Sequence, residues 1–390
     1  MKDVDLGAGS LWSAERATLR DLALLFLRLG LTAFGGPAAH IALMEQEVVR
    51  RRRWISSERF LDLLGAANLI PGPSSTELAI FVGYEKGGWF GLILGGVCFI
   101  LPAALLVTAL AWAYVQFGSL PKVSGIFYGI EPIVIAVIAQ ALWGLAPKAI
   151  KKSFWLGALG LMACLASANH ADAAVVLLGS GMASMAERQV AKPGGAARAV
   201  LFAALARGGV PVAAPATGVA LFAAFLKVGA LVFGSGYVLL PFLRADLVER
   251  LHWLTERQLL DAVVIGQVTP GPVFTTATFI GYIIGGASGA VAATVGIFLP
   301  GFVLVAVTRP LLARVRESQL ASAFLDGVNV AALALMAVVL VQLGRVALVD
   351  GTTVAMALGS VILLIRYRMN ATWLVVAGAV VGAVVAACRT

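Results

Sequence analysis

Two stretches without a single Asp, Glu, Lys or Arg, one between Lys86 and Lys122 and one between Asp261 and Arg309, constrain this chain more than any other feature. Each is longer than the roughly 20 apolar residues that carry a helix across a bilayer. Neither shows the short alternating pattern of a barrel strand. Backbone groups in hydrocarbon must be satisfied within the segment, so helices are the spanning elements. Only 13% of the 390 residues are charged and 60% are hydrophobic, whereas a soluble domain carries about a quarter charged residues. The sequence therefore specifies an all-α polytopic membrane protein, with the lipid bilayer as its first partner.

Other classes lack their signatures. Cys98, Cys164 and Cys388 stand alone in apolar runs with no CxxC, which argues for small packing residues and against a metal site or a disulfide. No phosphate loop, HExxH or nucleophile elbow occurs, so neither an enzyme nor a cofactor is expected. The net charge of +9 is concentrated in short loops, where it reports orientation and calls for no nucleic acid. Residues 1–21 contain Asp3, Asp5, Glu15 and Asp21 and lack an apolar core. The first apolar helix is thus expected to act as an uncleaved insertion signal.

The chain repeats itself. A displacement of 199 residues sets Phe26 on Phe225, Arg28 on Lys227, Phe34-Gly35 on Phe233-Gly234, Trp54 on Trp253, Asp62 on Asp261, Asn68 on Gln267 and Thr76 on Thr275. The run Pro71-Gly72-Pro73 falls on Pro270-Gly271-Pro272. After a slip to 198, Gly83-Tyr84 meets Gly281-Tyr282, Gly87-Gly88 meets Gly285-Gly286, and Leu101-Pro102 meets Leu299-Pro300. Two tandem homologous halves follow, 1–185 and 218–390, joined by a linker at 186–217 rich in Gly, Ala, Pro and basic residues.

Matched loops differ in charge. "RRRRW" at 50–54 and "PKAIKK" at 147–152 are basic, while their partners near 244–257 and 344–351 are mixed or nearly neutral. The bias reverses at 118–124, whose partner carries Arg309, Arg314 and Arg316. Because Lys and Arg favour the cytoplasmic side, the two halves are expected to be inverted in the membrane, as in many secondary transporters.

Proline removes a backbone donor and ends a helix, so each Pro-Gly-Pro run predicts a broken or re-entrant helix, and Pro37 predicts another break. Irregular backbone at membrane depth persists where it lines a cavity. Half-helices starting at Pro73 and Pro272 would present free N–H groups and nearby hydroxyls, and helix N-termini attract anions. The candidate anion-binding residues are therefore Gly72, Ser74, Ser75 and Thr76 in the first half and Thr269, Gly271, Thr275 and Thr276 in the second. The neighbouring Asn68 and Gln267, and Gly35, Gly36 and Gly234 at the Phe-Gly breaks, join them. Arg28 and Lys227, matched cations inside apolar spans, are expected to add positive charge to this centre. A snorkelling contact at the membrane surface is their alternative reading. His40, Glu77 and Glu131 have no titratable counterparts and are the candidates for a coupling proton; Asp62 and Asp261 are read as helix-start residues. The GxxxG spacings at Gly91/Gly95, Gly125/Gly129 and Gly285/Gly289 predict close helix packing.

"FGGPAAHI" at 34–41, the basic loop ending in Trp54, "NLIPGPSSTELAIFVGY" at 68–84 and "QVTPGPVFTTATFIGY" at 267–282 resemble the chromate ion transporter family in its long, two-domain form. The resemblance covers nearly the whole chain. It implies a multi-pass protein of the bacterial-type inner membrane that exports chromate by proton-coupled antiport and confers chromate resistance. Its motif residues fall on Phe34, Gly35, Gly36, Pro37, His40, Asn68, Pro71, Gly72 and Pro73. The second half departs from the first, with Phe233-Gly234-Ser235-Gly236 in place of FGGP and no histidine. Sulfate, a tetrahedral dianion of the same shape, is the first alternative substrate. An anion channel or a membrane-embedded lipid-processing enzyme is the alternative from another class, and a homodimer is one admissible assembly.

Overall fold

Glycine 88 sets the geometry of the first half. The computed structural model describes residues 18–34, 36–118, 120–169, 171–190, 215–233, 236–308 and 318–389. Within it a single helix, α4, runs from Ser74 to Phe117, but Gly88 has φ 58° and ψ −144°, a region open essentially to glycine alone. The chain reverses there. The arm before Gly88 lies back along the arm after it, and a Cβ on Gly83 would collide with the carbonyl of Gly91 while one on Gly95 would lie 2.5 Å from that of Ala79. The second half repeats the device. In α11, Thr276–Thr308, Gly286 has φ 63° and ψ −152°, and Gly281 is pressed against Gly289.

The other elements pair off by the same displacements. In the first half these are α1 (Leu19–Thr32), α2 (Gly36–Glu45, continued by a π-helical turn over Gln46–Arg51), α3 (Ser57–Ala67), α5 (Pro121–Ile150), α6 (Phe154–Ala168) and α7 (Ala173–Val190). Their counterparts are α8 (Gly218–Leu231), α9 (Leu239–Leu243, with a π-helical turn over Arg244–Arg250), α10 (Glu256–Val268), α12 (Gln319–Ala347), α13 (Gly351–Arg366) and α14 (Ala371–Arg389). The caps repeat too: Thr18 and Thr217 start α1 and α8, and Ser56 and Thr255 start α3 and α10, each side chain accepting a backbone N–H of the first turn.

The one-residue slip in the repeat has a local cause. The first arm of α4 takes 14 residues to reach Gly88, whereas its counterpart begins with a 3₁₀ turn at Val273–Thr275. A 3₁₀ turn rises about 2.0 Å per residue against about 1.5 Å in an α-helix. Thirteen residues then cover the same ~21 Å.

α3 and the first arm of α4 form a helical hairpin with Pro71-Gly72-Pro73 at its tip, since Arg59 at one end bonds Glu85 at the other through Nε and Nη2, both at 3.1 Å. α5 and its counterpart α12 lie antiparallel. Lys151 at the end of α5 pairs with Asp326 near the start of α12, and Tyr128 near the start of α5 donates to Asp350 just past the end of α12, at 2.6 Å. Gly125 and Gly129 of α5 pack on Gly378 and Gly382 of α14, as their spacing predicts. Five segments among the described residues are long and apolar enough to cross a membrane: Ser74–Phe117, Val123–Ile150, Val273–Thr308, Gln319–Ala347 and Ala371–Cys388. No strand occurs among the described residues beyond one isolated bridge.

Candidate functional site: two crossed Pro-Gly-Pro tips

Each Pro-Gly-Pro tip docks onto the other half. Gly72 N–H donates to the carbonyl of Val232 at 2.7 Å, and Pro71 forms an antiparallel bridge with Phe233. Reciprocally, Gly271 N–H donates to the carbonyl of Ala33 at 2.9 Å. Val232 and Ala33 are the residues where α8 and α1 end, so each tip satisfies the backbone that the opposite break leaves open. Gly72 (φ +137°) and Gly271 (φ +89°) hold conformations unfavourable to any L side chain. At Gly271 a Cβ would also lie 2.6 Å from Ala103 Cβ and 3.0 Å from the Gly30 carbonyl oxygen. The tips are thus built from glycine for two reasons, backbone conformation and close approach.

The first tip carries the polar groups. His40, buried one turn into α2, lies with Nε2 3.2 Å from the Ala33 carbonyl and Nδ1 3.3 Å from Ser75 Oγ, and its ring meets Phe99 edge-on. A carbonyl only accepts, so Nε2 carries a proton; when the ring is neutral the Ser75 hydroxyl donates to Nδ1, and when it is charged Nδ1 donates to that hydroxyl. The Ala33 carbonyl therefore joins His40 directly to the opposite tip. Glu77 is fully buried, with its carboxyl against Gly72 and 3.6 Å from the position of a Cβ on Gly301 in the other half. Neither Glu77 oxygen, nor Thr76 Oγ1, has a hydrogen-bond partner among the described residues. Burying such groups unpaired costs several kcal/mol for a charge and about 1–3 kcal/mol for a hydroxyl.

The second tip is quieter. Thr269, Thr275 and Thr276 are buried and donate their hydroxyls to the carbonyls of Ile265, Pro272 and Val273. Leu239 stands where His40 stands in the first half, and Thr276 where Glu77 does. Gln267 is half-buried near the tip, while Asn68 caps α3 with its side chain exposed. Gly36 (φ +76°) and Pro37 open α2, and Gly35 and Gly234 lie outside the described residues.

The matched cations are held elsewhere. Arg28 is 59% exposed and faces Glu47 at 3.7 Å; Lys227 contacts both oxygens of Asp246 at 3.0 Å. Glu47 also binds Arg51 and Arg52, and Asp246 also binds Arg250. Each cation thus belongs to a carboxylate of its own half, and the structure does not bring it to the tips. The signal was present in the sequence, because Glu47 and Asp246 obey the same displacement of 199 and each follows its cation by 19 positions. Glu47 lies beside the basic loop. Burial pushes its carboxyl up, but hydrogen bonds from Arg51 and Arg52 and the charges of Arg51 and Arg28 win and hold it below its usual 4.5. Glu131 is also distant from the tips: it is buried in α5, where Arg257 of α10 donates to it at 3.1 Å.

Long apolar helices, duplicated halves and broken backbone buried between them define a multi-pass membrane protein whose halves meet at two buried backbone breaks. The family model for chromate transporters matches residues 20–185 and 219–383, and the chain belongs to that family. It is 35% identical over 383 residues to a chromate transport protein of Cupriavidus metallidurans, covering 95% of this chain and 94% of that one. It is 36% identical over 334 residues to a chromate transport protein of Pseudomonas aeruginosa (82% and 80% covered). To a probable chromate transport protein of Synechococcus elongatus it is 34% identical over 346 residues (85% and 86% covered). No solved structure matches the chain.

Proposed function

We propose that this protein is a secondary transporter that exports chromate across a bacterial-type inner membrane in exchange for protons, and so confers chromate resistance. The observation that carries the reading is the reciprocal docking of the two Pro-Gly-Pro tips on the opposite breaks. A junction made twice, once in each half of an antiparallel pair, supports inverted repeats rocking about a central site. Both hairpins then enter from their own faces of the membrane, and their tips meet at mid-depth. The tetrahedral dianion is held by backbone N–H groups and hydroxyls at the starts of α4 and α11, with Ser74, Ser75, Thr76, Thr275 and Thr276 nearest to it.

Coupling is placed at the first tip. A carboxyl with no donor beside it is incompatible with a neighbouring dianion unless it carries a proton, so Glu77 is the group whose protonation alternates with anion occupancy. His40 links that tip to the other through Ala33 and transmits its state. Arg28 and Lys227 act at the membrane surface, drawing anions towards the mouths without binding them at the centre.

The test is uptake of labelled chromate into sealed vesicles holding the purified protein, under an imposed pH gradient and with sulfate as competitor. Saturable uptake driven by the gradient supports the reading. Uptake that neither saturates nor follows the gradient would make the protein a channel, and preference for sulfate would reassign the substrate.

A further inference from the structure

A second buried acidic site lies far from the tips, at a cavity where the two halves meet. The cavity, about 220 Å³, is lined by residues from the ends of α4, α5 and α10, among them Tyr114, Ser124, Arg257 and Asp261. It sits at the opposite end of the long arm of α4 from Gly88, and therefore away from the Arg50–Arg53 loop. Asp261 is 3% exposed and Glu131, just behind it, 2% exposed. Tyr114 donates to Asp261 Oδ2 at 2.6 Å, and Arg257 donates to Glu131 at 3.1 Å. Asp261 Oδ1 is buried without an N–H or hydroxyl donor among the described residues, and the Asp261 and Glu131 carboxyls lie within hydrogen-bonding reach of each other. The nearby Glu256 and Asp246 are engaged by Arg244 and by Lys227 and Arg250.

Two buried carboxyls therefore face one guanidinium. If both were ionised, one negative charge would be left uncompensated away from water, which costs several kcal/mol. A single proton removes that charge. The groups also come from different halves: Tyr114 and Glu131 belong to the first, Arg257 and Asp261 to the second. Any motion of one half against the other changes how much water reaches the pair, and so changes how tightly it holds the proton.

Resting on the reading of a proton-coupled carrier, we propose that Asp261 and Glu131 form the proton-exchange site of this transporter on the side opposite the Arg50–Arg53 loop. When the cavity opens, solvent hydronium gives its proton to a carboxylate oxygen and remains as water. When the halves rearrange, the proton leaves the pair through water admitted between the halves and is delivered towards Glu77, the coupling carboxyl of the first tip. Tyr114 orients Asp261, and Arg257 keeps the pair to one proton. The site is built once. Under the repeat, Glu131 corresponds to Asn329 and Arg257 to Glu58, so the carboxyl pair and its guanidinium are not duplicated at the matched positions. This asymmetry gives the proton one preferred side of exchange.

The first measurement uses no anion: infrared difference spectra of the purified full chain between acidic and neutral pH. Wild type is expected to show a protonated-carboxyl signal, part of which disappears in Asp261→Asn and in Glu131→Gln. Tyr114→Phe, which removes only a hydroxyl, is expected to shift that signal and keeps the test available should the carboxyl variants not fold. Spectra unchanged in all three variants overturn the inference. The second measurement is chromate accumulation in vesicles, where one pH unit is worth about tenfold accumulation for each coupled proton. The double variant is expected to fall to about onefold while losing much less of its anion–anion exchange; accumulation at the wild-type level overturns the inference. If wild type carries no chromate yet shows the carboxyl signal and its loss, the proton site stands and the chromate reading falls.

Discussion

Replacing Gly271 with alanine tests the docking of the second tip. The new Cβ meets two penalties. With φ at +89°, an L residue is strained by about 1–3 kcal/mol. Its Cβ would also lie 2.6 Å from Ala103 Cβ, where ordinary contact begins at 3.4 Å, so tip and α4 must separate by about 0.8 Å, at a further cost of about 1–3 kcal/mol. Gly286→Ala is the control, because Gly286 also has positive φ (+63°) but has nothing within 4 Å of the added methyl. Thermal unfolding of both variants in detergent should place Gly271→Ala below Gly286→Ala by about 1–3 kcal/mol, the overpacking share alone. A displacement near 1 Å in a positioned site costs up to about 10²-fold, so chromate transport per folded molecule should fall further in Gly271→Ala. Equal stability and equal transport in the two variants would refute the docking of this tip on α4.

Other expectations follow from the same geometry. Arg28→Ala should weaken transport only slightly and stability by about 0–1 kcal/mol, as for an exposed ion pair; a complete loss of anion binding would return Arg28 to the centre. His40→Phe keeps the packing on Phe99 but removes both hydrogen bonds, so proton-driven transport should suffer more than protein abundance, measured by quantifying inserted protein beside the uptake rate. For Glu47 the folded-state carboxyl titrates below its usual 4.5, so its ionised form contributes stability that is present above that value and lost as pH falls through the lower folded-state value. Glu47→Gln should therefore melt earlier than wild type near neutral pH and converge with it in acid, and parallel melting curves across that range would contradict the pairing.

Much of this architecture is legible in the sequence because duplication writes it twice. The displacement of 199 with its slip to 198 finds the two tips and sets Gly88 on Gly286, but the positive φ that reverses the chain at both glycines is seen only in the structure. Hydropathy alone does not enumerate the helices. α1, α3, α6 and α8 have 11–15 residues, which reach about 17–23 Å against a hydrocarbon core of about 30 Å. The crossed docking is hidden for another reason: Gly72 finds Val232 and Gly271 finds Ala33 through backbone atoms, which leave no trace in side-chain identity. Arg28 and Lys227 show the opposite failing. Their matched placement is real, but a cation in an apolar run reads as a binding residue until its carboxylate is located, and Glu47 and Asp246 lie on the helix that follows each break. Asp261, read as a helix-start residue, is buried, because α10 packs against the first half and carries it inside.

The central claim is that the crossed tips hold the transported dianion. The direct measurement is chromate binding to the purified protein, by equilibrium dialysis, in wild type, Pro71→Ala and Pro270→Ala. Proline removal lets the preceding helix continue and withdraws the N–H groups from the junction. The account predicts saturable chromate binding in wild type that is displaced by sulfate and weakened in both variants. Binding at wild-type affinity in both would place the anion elsewhere.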